Sequence, residues 1–340
     1  SSAASDVYKR QELITERRGL GDLLALTLGQ DATDIGLVQQ RLREIGYFGW
    51  KNWWIEPAFW DMAGHRAGQP LWRLLGADAG GEVPVYASFG EVRSGAQRIE
   101  DVEARIEQGF RTVKIRVHED EDADVRQVTE VAEAVGDRVA IGVDANQGWR
   151  VSVFGDAPTW DLDRARRFAD VCADLGIAWL EEPLPMDAYD DQIALNQYSR
   201  VPISGGELHT GGEPELRMMI ERGCYAVYQP DALFTGGIEQ TRRVIELCRQ
   251  HGVTYTPHTW TNGLGFAVNL HLWALSERVK PLEFPLEEPG WIPEARDAML
   301  TEPFLAEGGQ VRLPDRPGLG VTVDPDALAR HGERFFVAES

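Results

Sequence analysis

Short apolar runs of strand character alternate with amphipathic stretches over most of the chain. Between the runs, apolar residues recur at three- and four-residue spacing, as in AQRIEDVEARIEQG and TRRVIELCRQHG, which predicts helices. Several predicted helices stop at a glycine just before the next run, as helix C-termini favour. The predicted strands are 83–89, 112–117, 139–146, 178–183, 202–207, 226–231, 253–258 and 281–285.

Eight strands joined by helical crossovers predict an α/β fold of the (β/α)8 type, a TIM-like barrel, over residues 83–305. A doubly wound sheet is the alternative, but no GxGxxG follows the first strand. Residues 12–82 are helical and aromatic-rich, and we interpret them as part of an N-terminal capping domain. Residues 306–340 are predicted to be an irregular segment that returns to this cap.

The length of 340 residues suits one large barrel with an appended domain. A formal net charge of -21 opposes binding to nucleic acids and anionic membranes, because both are polyanions. No uninterrupted apolar stretch reaches the length of a membrane span. Three cysteines without metal-ligand spacing argue against a disulfide framework and favour a location in the cytoplasm.

Three carboxylates, those of Asp144, Glu181 and Glu207, each end one of the apolar runs. If the strands are parallel neighbours, their carboxyl ends meet at one rim and the three acids converge. Hard anionic oxygen donors suit Mg²⁺ better than the other common metals. These residues are therefore the predicted Mg²⁺ ligands.

Other charged residues stand at the ends of the remaining strands, where barrel active sites lie. Lys114 and Arg116 on the second strand face inward together, because residues two apart share a face. Asp231 on the sixth strand can orient the imidazole of His258 on the seventh. A carboxylate substrate bound to Mg²⁺ can lose its α-proton and form an enediolate. Glu283 on the eighth strand can donate a hydrogen bond to an oxygen of that enediolate if protonated, or balance the charge of Lys114 if ionised. We interpret these residues as catalytic, and a purely structural ring of salt bridges is the alternative.

Residues just beyond the strand ends are candidates for contact with a substrate. We assign this role to Asn146, His209 and Trp260. The FTGGI turn after the sixth strand has amides that could bind phosphate. A tight strand-to-helix turn is the preferred interpretation of that segment.

The motifs taken together resemble the enolase superfamily, specifically its mandelate racemase subgroup. TVKIRV, GVDANQGW, WLEEPLP, ISGGELH, YQPDALFTGGI, TPHTWTNG and PLEFP occur in the order that the family has, and the similarity runs from about Ile14 to the C-terminus. The resemblance implies a Mg²⁺ cofactor, a small carboxylate sugar as substrate and a homo-oligomer. The residues singled out above fall on the family's functional positions: the Mg²⁺ ligands Asp144, Glu181 and Glu207, the dyad Asp231 and His258, the strand-eight acid Glu283, and the Lys-x-Lys motif at Lys114 and Arg116.

Arg116 departs from the family motif, because it replaces the lysine that serves many relatives as a second base. A guanidinium stays protonated and is a poor base, so a two-base racemase is disfavoured. We expect His258 to act as base, or as acid for a leaving hydroxide, with Lys114 a possible base on the opposite face. The expected activity is that of an aldonate or aldarate dehydratase, a hydro-lyase that forms a 2-keto-3-deoxy acid. An epimerase or cycloisomerase and a truncated, inactive acid-sugar-binding scaffold are the alternatives.

The beginning of the chain also departs from the family, whose members open with a short β-sheet that helps to cover the substrate. Here SSAASDVYKRQ leads directly into ELITERR. We interpret residues 1–11 as a non-native leader. The capping domain is accordingly expected to be mainly helical and incomplete, without the first strands of its α+β fold.

Overall fold

Eight parallel strands form the centre of the molecule, and each of the eight predicted strands is confirmed. The computed structural model describes residues 21, 28–47, 52–78, 80–150, 158–277 and 280–332. Each strand is an apolar run bounded by turn residues, as expected for strands covered on both faces. The strands are β1 (Glu82–Ser88), β2 (Thr112–Arg116), β3 (Ala140–Asp144), β4 (Trp179–Glu181), β5 (Ile203–Gly205), β6 (Val227–Tyr228), β7 (Thr254–Tyr255) and β8 (Leu282–Pro285).

The strands follow one another around a curled sheet in the order β7-β6-β5-β4-β3-β2-β1-β8. No ladder between β7 and β8 occurs among the described residues, but side chains join the two strands. Thr256 Oγ1 donates to the carbonyl of Pro281 at 3.1 Å, and Thr259 N donates to Glu283 Oε2 at 2.9 Å. The arrangement is the predicted (β/α)8-type architecture, and it places all eight carboxyl ends at one rim.

The crossovers between the strands are the seven helices from α4 to α10, as the periodicity predicted. The predicted glycine stops have positive φ, for example Gly223 at +76° and Gly252 at +67°, a region that glycine adopts without strain. In the described residues the helices are α1 (Ile35–Gly46), α2 (Glu56–Ala67), α3 (Leu71–Leu74), α4 (Gly95–Glu107), α5 (Glu121–Val135), α6 (Leu162–Asp174), α7 (Tyr189–Tyr198), α8 (Glu213–Arg222), α9 (Gly237–His251), α10 (Gly263–Trp273), α11 (Pro293–Arg296) and α12 (Pro325–His331).

One large side chain of the barrel, that of Trp179, needs a glycine opposite it. Gly142 in β3 pairs in register with Trp179 in β4. A Cβ on Gly142 would lie 2.2 Å from the Trp179 ring. Trp179 in turn packs edge-on against Tyr86 of β1, with ring centroids 5.1 Å apart. This packing seals the barrel beneath the rim that carries the polar residues.

Helices α1 to α3 form the described part of the predicted cap, and every regular element before β1 in that part is helical. The C-terminal segment contacts these helices: Leu71 N donates to Gly318 O, and Leu319 N donates to Asp61 Oδ1, both at 2.8 Å. This segment was expected to be irregular but contains α12 and a ninth strand, β9 (Gln310–Arg312), antiparallel to β1. β9 pairs with Glu82 to Pro84, which precede the part of β1 that pairs with β2 and β8.

The boundaries assigned to the cap, the barrel and the C-terminal segment stay predictions. The proposed leader, residues 1–11, lies outside the described residues. Among the helices of the described ranges, none combines the length and the apolar character needed to cross a membrane.

Candidate active site

The register of the parallel strands sets the predicted site residues at one level of the rim. Arg116 at the end of β2 pairs with Asp144 at the end of β3, and Asp144 pairs with Glu181 at the end of β4. Glu207 follows β5 closely, and Glu283 lies within β8. Two groups of contacts result, one centred on Lys114 and one on His258.

Lys114 is the centre of a buried cluster of carboxylates. Its Nζ lies 2.6 Å from Glu181 Oε1, 2.7 Å from Glu283 Oε1 and 3.4 Å from Asp144 Oδ2. Burial favours the neutral amine, but the negative charges of Glu181, Glu283 and Asp144 raise the pKa of Lys114 well above its usual value. The three carboxylates therefore favour the ammonium form of Lys114 in this arrangement, and its assignment as a possible base stays a prediction.

Arg116 holds the other side of Asp144. Its Nη2 lies 2.9 Å from Asp144 Oδ2, and its Nε is buried without a hydrogen-bond partner. Burial opposes the charge of Arg116, but the charge of Asp144 raises its pKa. For Asp144, burial favours the neutral acid, yet Arg116 and Lys114 lower its pKa. Both cations on β2 are thus fixed charges.

Glu181 and Glu283 share Lys114, but their pKa values shift in opposite directions. Burial raises the pKa of Glu181 to about 7, because nearby Asp144 and Glu283 offset the effect of Lys114. Burial also favours the neutral form of Glu283, but Lys114 and His258 lower its pKa to about 2. Glu283 further accepts from Ser88 Oγ at 2.7 Å. Of the two states considered for Glu283, the ionised one that balances Lys114 is therefore favoured.

Asp231 and His258 form the second group of contacts. His258 Nδ1 lies 3.1 Å from Asp231 Oδ2, and His258 Nε2 lies 3.3 Å from Glu207 Oε2. Burial lowers the pKa of His258, but the charge of Glu207 and the hydrogen bond to Asp231 raise it to about 10. The remaining oxygen of Asp231 accepts from Asn269 Nδ2 at 3.0 Å. The imidazole is thus held from both sides by carboxylates.

Two further residues, which the sequence did not single out, complete the contacts of these groups. Gln229 Nε2 donates to Glu181 Oε2 at 2.9 Å, and the Gln229 carbonyl accepts from His258 N at 3.3 Å, so it joins the two groups. Gln229 lies two residues before Asp231, and strand alternation could have identified it. Trp149 Nε1 donates to Glu207 Oε1 at 2.8 Å. Trp149 is in a loop, where no periodic signal exists.

Two of the three predicted substrate-binding residues lie at the rim. Asn146 has a left-handed backbone (φ +49°), and its N–H donates to Asp144 Oδ1 at 2.8 Å. Trp260 Nε1 lies 2.9 Å from Ser88 Oγ and 3.2 Å from Glu283 Oε1. Its ring packs against Trp291 with centroids 4.8 Å apart. Both residues are therefore beside the carboxylates.

His209, the third, is buried in a separate set of contacts. Its Nδ1 lies 2.9 Å from Glu215 Oε1, and Tyr189 OH donates to the same oxygen at 2.8 Å. Its Nε2 is buried without a hydrogen-bond partner. The contacts do not join His209 to the other predicted site residues, so its role toward a substrate stays a prediction.

The FTGGI segment forms a strand-to-helix turn, which was the interpretation preferred over a phosphate site. The first amides of α9, which would have been the phosphate site, donate instead to a side chain of the cap. Ile238 N lies 2.8 Å from Glu56 Oε2, and Glu239 N lies 3.2 Å from Glu56 Oε1. A protein carboxylate thus holds the place considered for phosphate.

The donor set at the rim fits Mg²⁺ in its chemistry, since Asp144, Glu181 and Glu207 offer only hard oxygens. In the part of the chain that the structure describes, no three His, Cys, Asp or Glu side chains approach closely enough to hold an ion. Lys114 and Arg116 draw Asp144 and Glu181 toward themselves instead. Buried carboxylates still outnumber these two cations at the rim: Asp144, Glu181, Glu182, Glu207, Asp231 and Glu283. An excess of buried negative charge is costly without a further cation.

Comparison with known proteins finds relatives that cover most of the chain. A family model described as enolase C-terminal domain-like matches residues 97–327. The chain is 31% identical over 311 residues to an L-talarate/galactarate dehydratase of Salmonella typhimurium, covering 88% of this chain and 71% of the relative. It is 30% identical over 282 residues to a D-galactarolactone cycloisomerase of Agrobacterium fabrum, covering 81% and 71%.

A solved structure shares the fold of the chain. The L-talarate dehydratase of Polaromonas sp. JS666, crystallised with Mg and L-glucarate, superposes with a TM-score of 0.76 at 25% sequence identity. The match covers 91% of this chain and 82% of the dehydratase.

Proposed function

Because the chain belongs to the enolase superfamily, in its mandelate racemase-like branch, we propose that it is a Mg²⁺-dependent dehydratase of sugar acids. The substrate would be an aldonate or aldarate, and the product a 2-keto-3-deoxy acid. Similarity to an L-talarate/galactarate dehydratase supports this reaction class. The chain would accordingly be a hydro-lyase.

The observation that carries the proposal is the position of His258 relative to the carboxylates. His258 Nε2 lies 3.3 Å from Glu207, while Nδ1 is held by Asp231 at 3.1 Å. The ring therefore has one nitrogen fixed by a carboxylate and the other directed at the rim. A histidine oriented in this way suits transfer of a proton to or from a bound substrate.

Asp144, Glu181 and Glu207 would hold the metal. Bound Mg²⁺ supplies a Lewis acid that polarises the substrate carboxylate and so acidifies its α-proton. Lys114 and Arg116, as fixed cations, stabilise the negative charge that develops on the enediolate oxygens. Glu283 holds the Lys114 ammonium in place, since it is the ionised partner of that group.

The proposed elimination needs a proton to leave the α-carbon and a hydroxyl to leave the β-carbon. The charge of Glu207 is the largest of the contributions that raise the pKa of His258, so the proposal requires Glu207 to be engaged as a metal ligand for the imidazole to be neutral. The neutral ring would take the α-proton, and the resulting imidazolium would donate it to the departing hydroxyl, which leaves as water. The enol that remains tautomerises to the 2-keto acid. Asp231 keeps the imidazole in one orientation through both transfers.

A panel of aldonates and aldarates incubated with the protein and Mg²⁺ tests the proposal. Formation of a semicarbazide-reactive keto acid is the expected result. Deuterium that enters the α-position from solvent without elimination would instead indicate epimerisation. Binding of a sugar acid without exchange of its α-proton would indicate a binding scaffold and contradict the proposed dehydratase.

A cycloisomerase is the second candidate, because the chain is 30% identical to a D-galactarolactone cycloisomerase. The same rim could take an α-proton from a lactone. Opening of a sugar lactone ring without formation of water separates this activity from dehydration, and ¹H NMR of the products distinguishes the two.

The remaining expectations belong to the same proposal. We infer a location in the cytoplasm, a homo-oligomeric assembly, and no nucleic-acid or membrane partner. The net charge of -21 supports the last point. Size-exclusion chromatography with light scattering measures the assembly directly.

A further inference from the structure

The cap places one buried carboxylate, that of Glu56 in α2, against the barrel. Glu56 is 0% exposed and accepts hydrogen bonds from Ile238 N at 2.8 Å and Glu239 N at 3.2 Å. A third donor, Trp60 Nε1, lies 2.8 Å away on the same helix. A carboxylate on the first amides of a helix satisfies donors that have no partner within the helix and interacts favourably with the helix dipole. Burial raises the pKa of Glu56 to about 7, and in either protonation state the cap supplies hydrogen-bond acceptors to the first amides of α9.

The turn before α9 is shaped to receive this carboxylate. Gly237 has φ +87°, and a Cβ there would lie 1.7 Å from Glu56 Oε2. Gly236 also has a positive φ, of +111°. Only glycine combines this backbone with so close an approach. Gly237 and Glu56 therefore form one complementary contact between the cap and the barrel, while Gly236 faces Gln240 of α9.

The same turn carries Asp231, which lies just before it in the chain. The Asp231 carbonyl accepts from Thr235 N at 2.9 Å and from Thr235 Oγ1 at 2.7 Å. The Asp231 carboxylate accepts from Leu233 N at 2.9 Å, and Gly237 N donates to Ala232 O at 2.9 Å. Asp231 and the start of α9 are therefore parts of one hydrogen-bonded turn.

The far end of this turn fixes His258. Asp231 holds Nδ1 of His258 at 3.1 Å, and Asn269 holds the other Asp231 oxygen at 3.0 Å. A displacement of the start of α9 would move the backbone of Asp231, and the hydrogen bond to His258 would lengthen. Glu56 is the cap residue that opposes this displacement.

We propose that Glu56 is a positioning residue, through which the docked cap holds the Asp231–His258 dyad in its hydrogen-bonded geometry. The inference rests on the proposed function for the role of the dyad, but the geometry itself can be tested without a substrate. If Glu56 has this role, His258 is held in its hydrogen-bonded orientation only when the cap is docked on the barrel.

The first experiment compares Glu56→Ala with a matched control, Asp161→Ala, in the full chain. Asp161 accepts from Arg164 N at 2.8 Å and caps α6, so its loss removes a helix cap that does not contact the dyad. The readout is the Nδ1–H resonance of His258 in histidine-¹⁵N-labelled protein, assigned by its absence in His258→Asn. We expect this resonance to shift or disappear in Glu56→Ala and to be unchanged in Asp161→Ala.

A more conservative variant keeps the test valid if Glu56→Ala does not fold. Glu56→Gln preserves the size of the side chain but leaves one of the two α9 amides facing an NH₂ group instead of an oxygen. We expect a smaller shift of the His258 resonance in the same direction. A wild-type resonance in the folded Glu56 variants, or an equal shift in Asp161→Ala, would overturn the proposal.

Kinetics on an accepted sugar acid provide a second readout. Loss of groups that orient a functional side chain typically costs about 10- to 100-fold in activity, and we expect a loss of that size in the kcat of Glu56→Ala with little change in KM. Added formate should restore part of the kcat by occupying the vacated site, and it should not affect Asp161→Ala. A change in KM alone would contradict the inference. If no sugar acid is turned over, the proposed function fails while the resonance test still decides the role of Glu56.

Discussion

The rim of the barrel, here called its mouth, and the junction of α10 with the cap each bury a histidine. The two surroundings shift the pKa of the buried imidazole in opposite directions. At the mouth, carboxylates face both nitrogens of His258 and raise its pKa to about 10. At the junction, His271 accepts from Trp72 N at 3.2 Å and donates to Leu319 O at 3.0 Å. Burial without a charged partner lowers the pKa of His271 to about 4.

The two regions differ in whether charged groups surround the buried histidine. The junction joins three parts of the chain with neutral hydrogen bonds, so a proton there would be a buried, uncompensated charge. The mouth gathers cations and a larger number of carboxylates, so a proton on His258 is favoured there by the surrounding negative charge. A proton on His258 therefore has charged partners at the mouth, whereas the described contacts of His271 include none.

The largest expected effect is on activity and tests the mouth directly. His258→Asn removes the imidazole that transfers the proton in the proposed reaction, and we expect dehydration to fall by about 10²- to 10⁴-fold. Mg²⁺ affinity, measured by calorimetry, should remain close to that of the wild type. Asp144→Asn should instead weaken Mg²⁺ binding itself.

The control for this variant is His251→Asn, on the exposed C-terminal end of α9. It should leave turnover unchanged. Wild-type turnover by His258→Asn would refute the assigned role.

The next effect is on stability and comes from the cations of the mouth. Lys114→Met leaves Glu181 and Glu283 buried beside each other without their shared ammonium. Breaking a buried ion pair by removing one partner typically costs about 3 to 5 kcal/mol, and we expect a loss of that size in urea unfolding without Mg²⁺. Arg138→Met, which breaks an exposed pair with Glu103, should have little effect. Equal losses of unfolding free energy in Lys114→Met and Arg138→Met would show that Lys114 does not stabilise the mouth.

Much of the barrel and of its rim could be predicted because the signals are local. Buried parallel strands are continuous apolar runs, and one polar residue at the end of such a run, such as Asp144, is conspicuous. Parallel register then brings these ends together without further information. The same reasoning identified Lys114 inside an otherwise apolar strand.

The residues that could not be predicted depend on contacts between distant parts of the chain. Glu56 meets Ile238 across 182 residues, and nothing in the sequence of α2 marks a carboxylate that docks on a barrel helix. The strand β9 is short and pairs with the first residues of β1, which precede the part of β1 that pairs with β2 and β8. His209 lies next to a strand end, and its contact with Glu215 on α8 could not be predicted from that position; its role toward a substrate stays a prediction.

A smaller effect, on the pH dependence of stability, tests the junction. The folded pKa of His271, about 4, is below its usual value of 6.5, so unfolding takes up a proton as the pH falls. The stabilisation from the neutral ring is complete above pH 6.5 and is lost between pH 6.5 and pH 4. At about 1.4 kcal/mol per unit, the loss is about 3 kcal/mol.

Urea unfolding of the wild type and of His271→Gln between pH 7 and pH 4 measures this contribution as a difference. The variant lacks the titrating group and should lose less stability over this range. His258 should act in the opposite sense in metal-free protein, since its raised pKa gives stabilisation that is present below pH 6.5 and lost as the pH rises through about 10. Equal slopes for wild type and His271→Gln would contradict the neutral junction.

The smallest effect comes from a neutral donor that links the two halves of the mouth. Gln229→Leu removes the hydrogen bond to Glu181 Oε2, and because that acceptor belongs to an acidic group, we expect a loss of about 2 kcal/mol in unfolding free energy. Gln127→Leu is the matched control, since Gln127 is equally buried but donates to the backbone carbonyl of Arg116 at 3.2 Å. A neutral acceptor should cost about 1 kcal/mol. If Gln127→Leu loses as much unfolding free energy as Gln229→Leu, the acidic acceptor at the mouth does not strengthen this hydrogen bond. The contrast between the mouth and the junction would then rest on His258 and Lys114 alone.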